Sequence, residues 1–237
     1  IVIVCHSNAF SEKSESQRDQ RKTCGFIKGY DEEQKSVRVA ARFRAILMPH
    51  FAPMDDYFQI QARLGRTKHP GGWPATKRLV SHCSITPSKQ VLVVGCGNGV
   101  SARRIARYTG AWVTGIDKLP AMIDLAKRKK MGSVQFFVGD AEQIPFGENE
   151  FDVLILESVL AYTDKTKALS ECRRVLKPGG YLALNEVTWR ELPPPEITAY
   201  ARRAMGGIQP ETEEVWLWLL KEAGYAEVAT EVEPMRG

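Results

Sequence analysis

Between residues 90 and 100 the chain runs from four apolar residues, Val91-Leu92-Val93-Val94, straight into Gly95-Cys96-Gly97-Asn98-Gly99. A short β-branched run closed by glycine reads as a strand buried on both faces, the mark of a parallel sheet. The glycines let the backbone turn sharply and let a ligand come close to the main chain before a helix over 101–108. G-x-G-x-G is not the dinucleotide G-x-G-x-x-G, because position 100 is Val and position 101 is Ser. Nor does a Gly-Lys-Ser/Thr follow, as a phosphate-binding loop requires. A tight turn that holds no ligand is the remaining plain reading.

The pattern beyond this turn repeats strand and helix. Strands are expected over 112–116, 134–138, 151–156, 181–187 and 225–232, and helices over 120–130, 165–176 and 211–223. Alternation at this spacing implies right-handed βαβ crossovers in a doubly wound, mostly parallel α/β sheet, with ligands at the carboxyl ends of its strands. Upstream, residues 1–30 are polar and aperiodic and read as a mobile arm. Asp31-Glu32-Glu33 opens a helix whose apolar stripe includes Val37, Ala41 and Leu47. A second short helix spans 54–64, a loop holds His69-Pro70-Gly71-Gly72-Trp73-Pro74, and a third helix spans 75–83. The expected plan is thus an arm (1–30), a helical cap (31–85) and an α/β domain (86–237). Residues 188–210, with Pro193-Pro194-Pro195 and Gly206-Gly207, form an irregular insert in that domain.

Charge is uneven along this plan. The chain has 237 residues and a net charge of +5, yet residues 1–80 hold 14 Lys/Arg and 8 Asp/Glu while residues 81–237 hold 19 and 20. A basic arm can attract phosphates or anionic lipid, and a solvated helical face explains it as well. The five cysteines are scattered and never spaced C-x-x-C, which argues against a zinc site or a disulfide framework and fits a reducing, cytoplasmic setting. No metal is expected. The opening Ile-Val-Ile-Val run is four residues long, short of a signal peptide, and no window reaches the ~18 apolar residues of a membrane span.

Two acids stand at successive strand ends. Asp117 closes the second strand, 18 residues beyond Gly99, where a carboxylate can accept from both hydroxyls of a ribose. Gly139-Asp140-Ala141 closes the third, where a carboxylate can accept from an exocyclic amine. Either acid alone is an ordinary loop residue or helix cap. Glycines and then two acids at three consecutive strand ends form a much more specific constellation.

These residues carry a family resemblance. VLVVGCGNG, then GID at 115–117, GDAEQIPFGENEFDVLILES at 139–158 and RRVLKPGGYLALNEVTW at 174–190 resemble the class I S-adenosylmethionine-dependent methyltransferases. The likeness covers about residues 75–232 and is strongest to small-molecule C-methyltransferases of the ubiquinone/menaquinone and tocopherol/sterol type. It implies a Rossmann-like fold and S-adenosylmethionine as cofactor, with S-adenosylhomocysteine as product. By the same resemblance, Gly95, Cys96, Gly97 and Gly99 pass the methionine part. Asp117 holds the ribose, Lys118 and Met122 flank the adenine, and Asp140 and Ala141 meet its edge. Glu157 faces the reacting centre.

The implied reaction is transfer of a methyl group to a small, apolar or aromatic acceptor at carbon or oxygen. A sulfonium methyl is already electrophilic, so the protein's tasks are alignment, exclusion of water and, for a phenol or acidic carbon, a base. The candidates are Glu157, His69, Tyr162 and Glu186. Glu157 is otherwise a helix cap and His69 otherwise a surface loop residue. Tyr57 is a weaker candidate for the cofactor carboxylate. The fourth strand continues L-E-S-V and lacks an N/D-P-P-Y/F motif, which disfavours methylation of nucleic-acid bases and glutamine amides. Two alternatives remain: an RNA methyltransferase using the basic third, and a catalytically silent cofactor-binding protein. Nucleic acid is the less favoured partner, and a homodimer through the apolar segment Trp216–Leu220 competes with plain core packing. The family sheet has a seventh, antiparallel strand between the fifth and sixth, and only one strand is legible after residue 211. The expectation is a six-stranded sheet or a shortened sequence.

Overall fold

The computed structural model describes residues 2–7, 54–64 and 69–232. In chain order these form β1 (Val2–Ser7), α1 (Met54–Leu64), α2 (Gly72–His82), β2 (Gln90–Val94), α3 (Val100–Thr109), β3 (Trp112–Asp117), α4 (Pro120–Lys127), β4 (Val134–Val138) and β5 (Phe151–Glu157). A 3₁₀ turn at Leu160–Tyr162 follows, then α5 (Lys165–Val175), β6 (Leu176–Asn185), β7 (Thr188–Trp189), α6 (Pro195–Ala204), β8 (Glu211–Thr212), α7 (Glu213–Glu222) and β9 (Tyr225–Glu231).

Seven strands make the main sheet, in the order β4-β3-β2-β5-β6-β1-β9. Strands β2 to β6 run parallel, with β2 at the centre between β3 and β5. The order reverses beside β2, so its carboxyl end lies at the crevice where ligands of open α/β sheets bind.

The side-chain alternation of the strands divides the core into two layers. Leu92, Val94, Leu154 and Leu156 point to one face and pack with Leu169 and Cys172 of α5 and Trp216 and Leu220 of α7. Val91, Val93, Val153 and Ile155 point to the other and pack with Leu79 and Val80 of α2, Ile105 of α3 and Ile123 of α4. Both faces of the strands are therefore apolar, which is why β2 reads as an unbroken hydrophobic run.

Three expectations need correction. Residues 2–7 are not part of a free arm. They form β1, which pairs antiparallel with β6 on one side and with β9 on the other. A β-branched run of only four residues was too short to signal a strand, but it suffices where two neighbours supply hydrogen bonds. The sheet accordingly has seven strands, and its antiparallel member comes from before the domain rather than after it. Residues 8–30 and the helix expected from residue 31 lie outside the described residues. Second, α2 is not a cap: Leu79 and Val80 are buried in the core against the sheet. Third, the insert at 188–210 is not irregular. Its three prolines lead into α6, with Pro195 in the first turn, where a missing N–H leaves nothing unpaired. Strands β7 and β8 flank it and pair parallel as a separate two-stranded sheet.

The apolar segment of α7 is core on one side, since Trp216 and Leu220 are wholly buried, while Trp218 is 58% exposed. The four described cysteines are free and buried. Among the described residues there is no group of residues fit to hold a metal and no helix long and apolar enough to cross a membrane.

Candidate active site

The site begins at the end of β2. Gly95 adopts φ +65°, and a Cβ there would meet Val159 Cγ2 at 2.4 Å, so both conformation and space demand glycine. Gly97 and Gly99 also have positive φ, and Gly99 leads directly into α3. Cys96 is buried between them, and burial pushes its thiol far above the usual range, so it packs rather than reacts.

Asp117, at the end of β3, holds this loop in place. Its Oδ2 accepts from the Gly97 amide at 2.8 Å and its Oδ1 from the Leu119 amide at 3.0 Å. Burial raises its pKa, with the two amides pulling the other way. Asp140, beyond β4, accepts from the Glu142 amide at 3.0 Å and from Lys118 Nζ at 2.7 Å. Despite partial desolvation, that amide and Lys118 hold Asp140 below its ordinary value. Lys118 is thus an exposed partner of Asp140, reaching across from β3 to β4. Met122 and Ala141 are buried nearby on the α4 and β4 sides.

Two carboxylates at adjacent strand ends and a glycine turn beside them form an acceptor-rich rim with main chain open to close approach. That acceptor set fits a ligand that offers a ribose diol and an exocyclic amine.

Next to it, at the end of β5, Glu157 gathers a polar cluster. Its side chain is 6% exposed. Oε1 accepts from Thr76 Oγ1 at 2.7 Å and lies 3.4 Å from His69 Nδ1. Ser101 and Asn185 also act on the carboxylate, favouring its charged form. Asn185 Nδ2 lies 3.2 Å from His69 Nδ1 and donates to the Pro70 carbonyl at 2.9 Å, and Ser101 Oγ lies 3.5 Å from His69 Nε2. Burial raises the Glu157 pKa, and His69, Thr76, Ser101 and Asn185 offset only part of that. Glu157 is therefore not a helix cap, and His69 is not a stray surface residue. Sequence reasoning missed Thr76, Ser101 and Asn185; their only signal was a polar residue at a helix turn or strand end, which is commonplace.

The remaining candidates gather around the 3₁₀ turn that follows β5. Tyr162, on the 3₁₀ turn, meets Phe58 edge-on at 5.0 Å, and Phe58 meets Tyr57 at 5.1 Å. Burial and the neighbouring Tyr57 push the Tyr162 phenol far above its usual range, so it stays protonated and can act only as a donor or a packing ring. Tyr57 is packed under Gly206, where a Cβ would meet its ring at 2.5 Å, and is turned to the insert. Tyr162, Val187 and Trp189 pack on Ala161, Ala201 and Ile208, an apolar wall that the insert completes. Gln209 N donates to the Ala161 carbonyl at 2.7 Å, and Lys165 pairs with Glu211 at 3.1 Å, pinning that wall to the 3₁₀ turn.

Glu186 is no base. It is wholly buried and accepts from the amides of Val159 and Leu160 at 2.9 Å and of Ala161 at 3.4 Å. It fixes the loop that follows Glu157, and burial raises its pKa to about 7.

Comparison with known proteins agrees with this layout. Residues 92–184 match the Methyltransferase domain family. Over 160 residues the chain is 29% identical to the uncharacterised methyltransferase YodH of Bacillus subtilis, covering 66% of this chain and 68% of that protein. Over 181 residues it is 32% identical to an uncharacterised protein of Haemophilus influenzae, covering 71% of each. Among solved structures it resembles the Haemonchus contortus phosphoethanolamine N-methyltransferase 2 in complex with phosphomonomethylethanolamine and S-adenosylhomocysteine. That match has a TM-score of 0.59 and 25% identity, over 66% of this chain and 38% of the other. With the glycine turn, the acids after β3 and β4 and the sheet order all in agreement, the chain belongs to the class I S-adenosylmethionine-dependent methyltransferases.

Proposed function

We propose that the protein methylates a small apolar or aromatic acceptor at carbon or oxygen, with Glu157 as the base that deprotonates it. The cofactor, when bound, supplies an electrophilic methyl group, so the chain's own work is placement and proton transfer. Asp117 and Asp140 are the residues to hold ribose and adenine, with Gly95, Gly97 and Gly99 along the methionine part. Tyr57, Phe58, Tyr162 and Trp189 offer the acceptor a flat apolar surface and keep water out.

One observation carries the reading: Glu157 is a nearly inaccessible carboxylate at the end of β5, by the crevice, with its pKa raised by burial. A desolvated carboxylate is a stronger base than one in water, which suits removal of a proton from a phenol or an activated carbon. His69, close to Glu157 Oε1, is placed to pass that proton on. The absence of an N/D-P-P-Y/F segment after β5 favours this over nucleic-acid methylation. We place the reaction in the cytoplasm, in keeping with free, buried cysteines.

The test is incubation with methyl-labelled cofactor and a panel of phenols, quinols and alkenes. Label in an organic-soluble product, cut at least about 100-fold by Glu157→Gln, is the expected result. Label in RNA alone, or unchanged turnover in Glu157→Gln, would overturn it.

A further inference from the structure

The strongest unexplained feature lies along α3 and the segment after α4, outside the residues assigned to cofactor and acceptor. Residues Arg103 to Lys130 carry eight Lys/Arg and two Asp/Glu, whereas the rest of residues 81–237 carries eleven and eighteen. The near neutrality of this part of the chain therefore hides a basic face where α3 meets the segment after α4, Lys118 excepted, since it pairs with Asp140.

That face is a cleft rather than a flat surface. A cavity of about 220 Å³ opens between α3 and the segment after α4, lined by Val100, Arg103, Arg104, Arg107 and Lys129. Four of five lining residues are cations and none is acidic. Among the described residues, Arg104, Arg107 and Lys129 have no carboxylate partner.

The cations are held there by the scaffold. Arg103 is 7% exposed, and its guanidinium is anchored by the carbonyls of Ala126 at 3.0 Å and Asn98 at 2.8 Å. Arg104 lies over the Trp73 ring at 5.8 Å. Burial lowers the Arg103 pKa, and the nearby Arg107 charge adds to that, so two like charges stand close together there. Such a set can lower its free energy by taking up an anion; guanidinium groups match the paired oxygens of carboxylate and phosphate alike, and four cations with no acid among them suit the more highly charged phosphate.

We propose that this cleft binds the phosphate group of a second ligand, separate from both cofactor and methyl acceptor. Arg104, Arg107 and Lys129 grip the oxygens, and Arg103 forms the fixed floor. The phosphate can belong to a soluble metabolite or to a lipid headgroup.

The test uses the full chain and the double variant Arg107→Ala/Lys129→Ala, whose changes lie outside the methyl-transfer site. Calorimetry with inorganic pyrophosphate at low salt should give saturable binding that the variant weakens at least tenfold, with affinity for S-adenosylhomocysteine unchanged. Co-sedimentation with phosphatidate vesicles, absent with phosphatidylcholine and lost in the variant, assigns the lipid source; pyrophosphate binding without sedimentation assigns a soluble ligand. No saturable binding to either probe, or binding equal in the variant, overturns the site. These readouts need no methyl transfer, so they stand apart from the assignment of Glu157.

Discussion

Thr76 Oγ1 donates a 2.7 Å hydrogen bond to Glu157 Oε1, joining α2 to the carboxyl end of β5 across 81 residues of chain. This bond favours the charged form of a carboxylate that burial pushes the other way. Thr76→Val should raise the Glu157 pKa further and move the acid limb of the kcat/KM profile to higher pH. Thr76→Ser, which keeps the hydroxyl, should restore the original limb. A pH–rate series on both variants checks it, and a uniform loss of rate with an unmoved limb would mean a merely structural role.

Asp117 offers a sharper test of cofactor recognition. Asp117→Ala should weaken S-adenosylhomocysteine binding by roughly 10- to 150-fold, the range for a charge-assisted hydrogen bond. The parent should discriminate against the 2′-deoxyribose analogue and the variant should not. Calorimetry separates this from collapse of the Gly97 loop, which would weaken both ligands equally and leave the discrimination intact.

Gly95→Ala meets two obstacles, a left-handed backbone costing about 1–2 kcal/mol and overlap with Val159. We expect loss of cofactor binding and a lower Tm. Adding Val159→Ala removes the overlap but not the backbone cost, so the double variant should recover part of the Tm. Full recovery would show that the left-handed geometry contributes nothing.

Glu186 sets a pH dependence. Its folded pKa of about 7 lies above the ordinary 4.5, so the folded state binds the proton more tightly than the unfolded state. Its stabilising contribution is full below pH 4.5 and disappears as pH rises through 7, by up to about 3 kcal/mol. Denaturant unfolding at pH 5 and pH 8 should show the parent losing more stability than Glu186→Gln. Equal losses would remove Glu186 from the account.

The cofactor half of the site was legible because its demands fall on the backbone. A turn that brings main chain to a ligand needs glycine, and a strand end that faces a ribose needs a short acid, so Gly95, Asp117 and Asp140 stand out by type and spacing. The polar cluster was not legible. Thr76, Ser101 and Asn185 come from three separate elements and meet only because α2 and α3 pack on the same face of the sheet. Glu157 and His69 were visible as candidates, but their meeting depends on a loop residue 88 positions upstream of Glu157. Likewise β1 could not be read locally, because its strand character comes from two partners near residues 181–185 and 225–231.

That last pairing sets the order in which the molecule can be completed. Cys5 and Leu182 meet across 177 residues, and β9 joins the sheet only through β1. At about 5–20 residues per second, a ribosome needs roughly 10 to 35 s to make the partner after Cys5 has emerged. Through that interval a strand of Val and Ile has no mate, and β6, once made, presents an open edge. The first of the described strands to be synthesised is thus among the last to be seated.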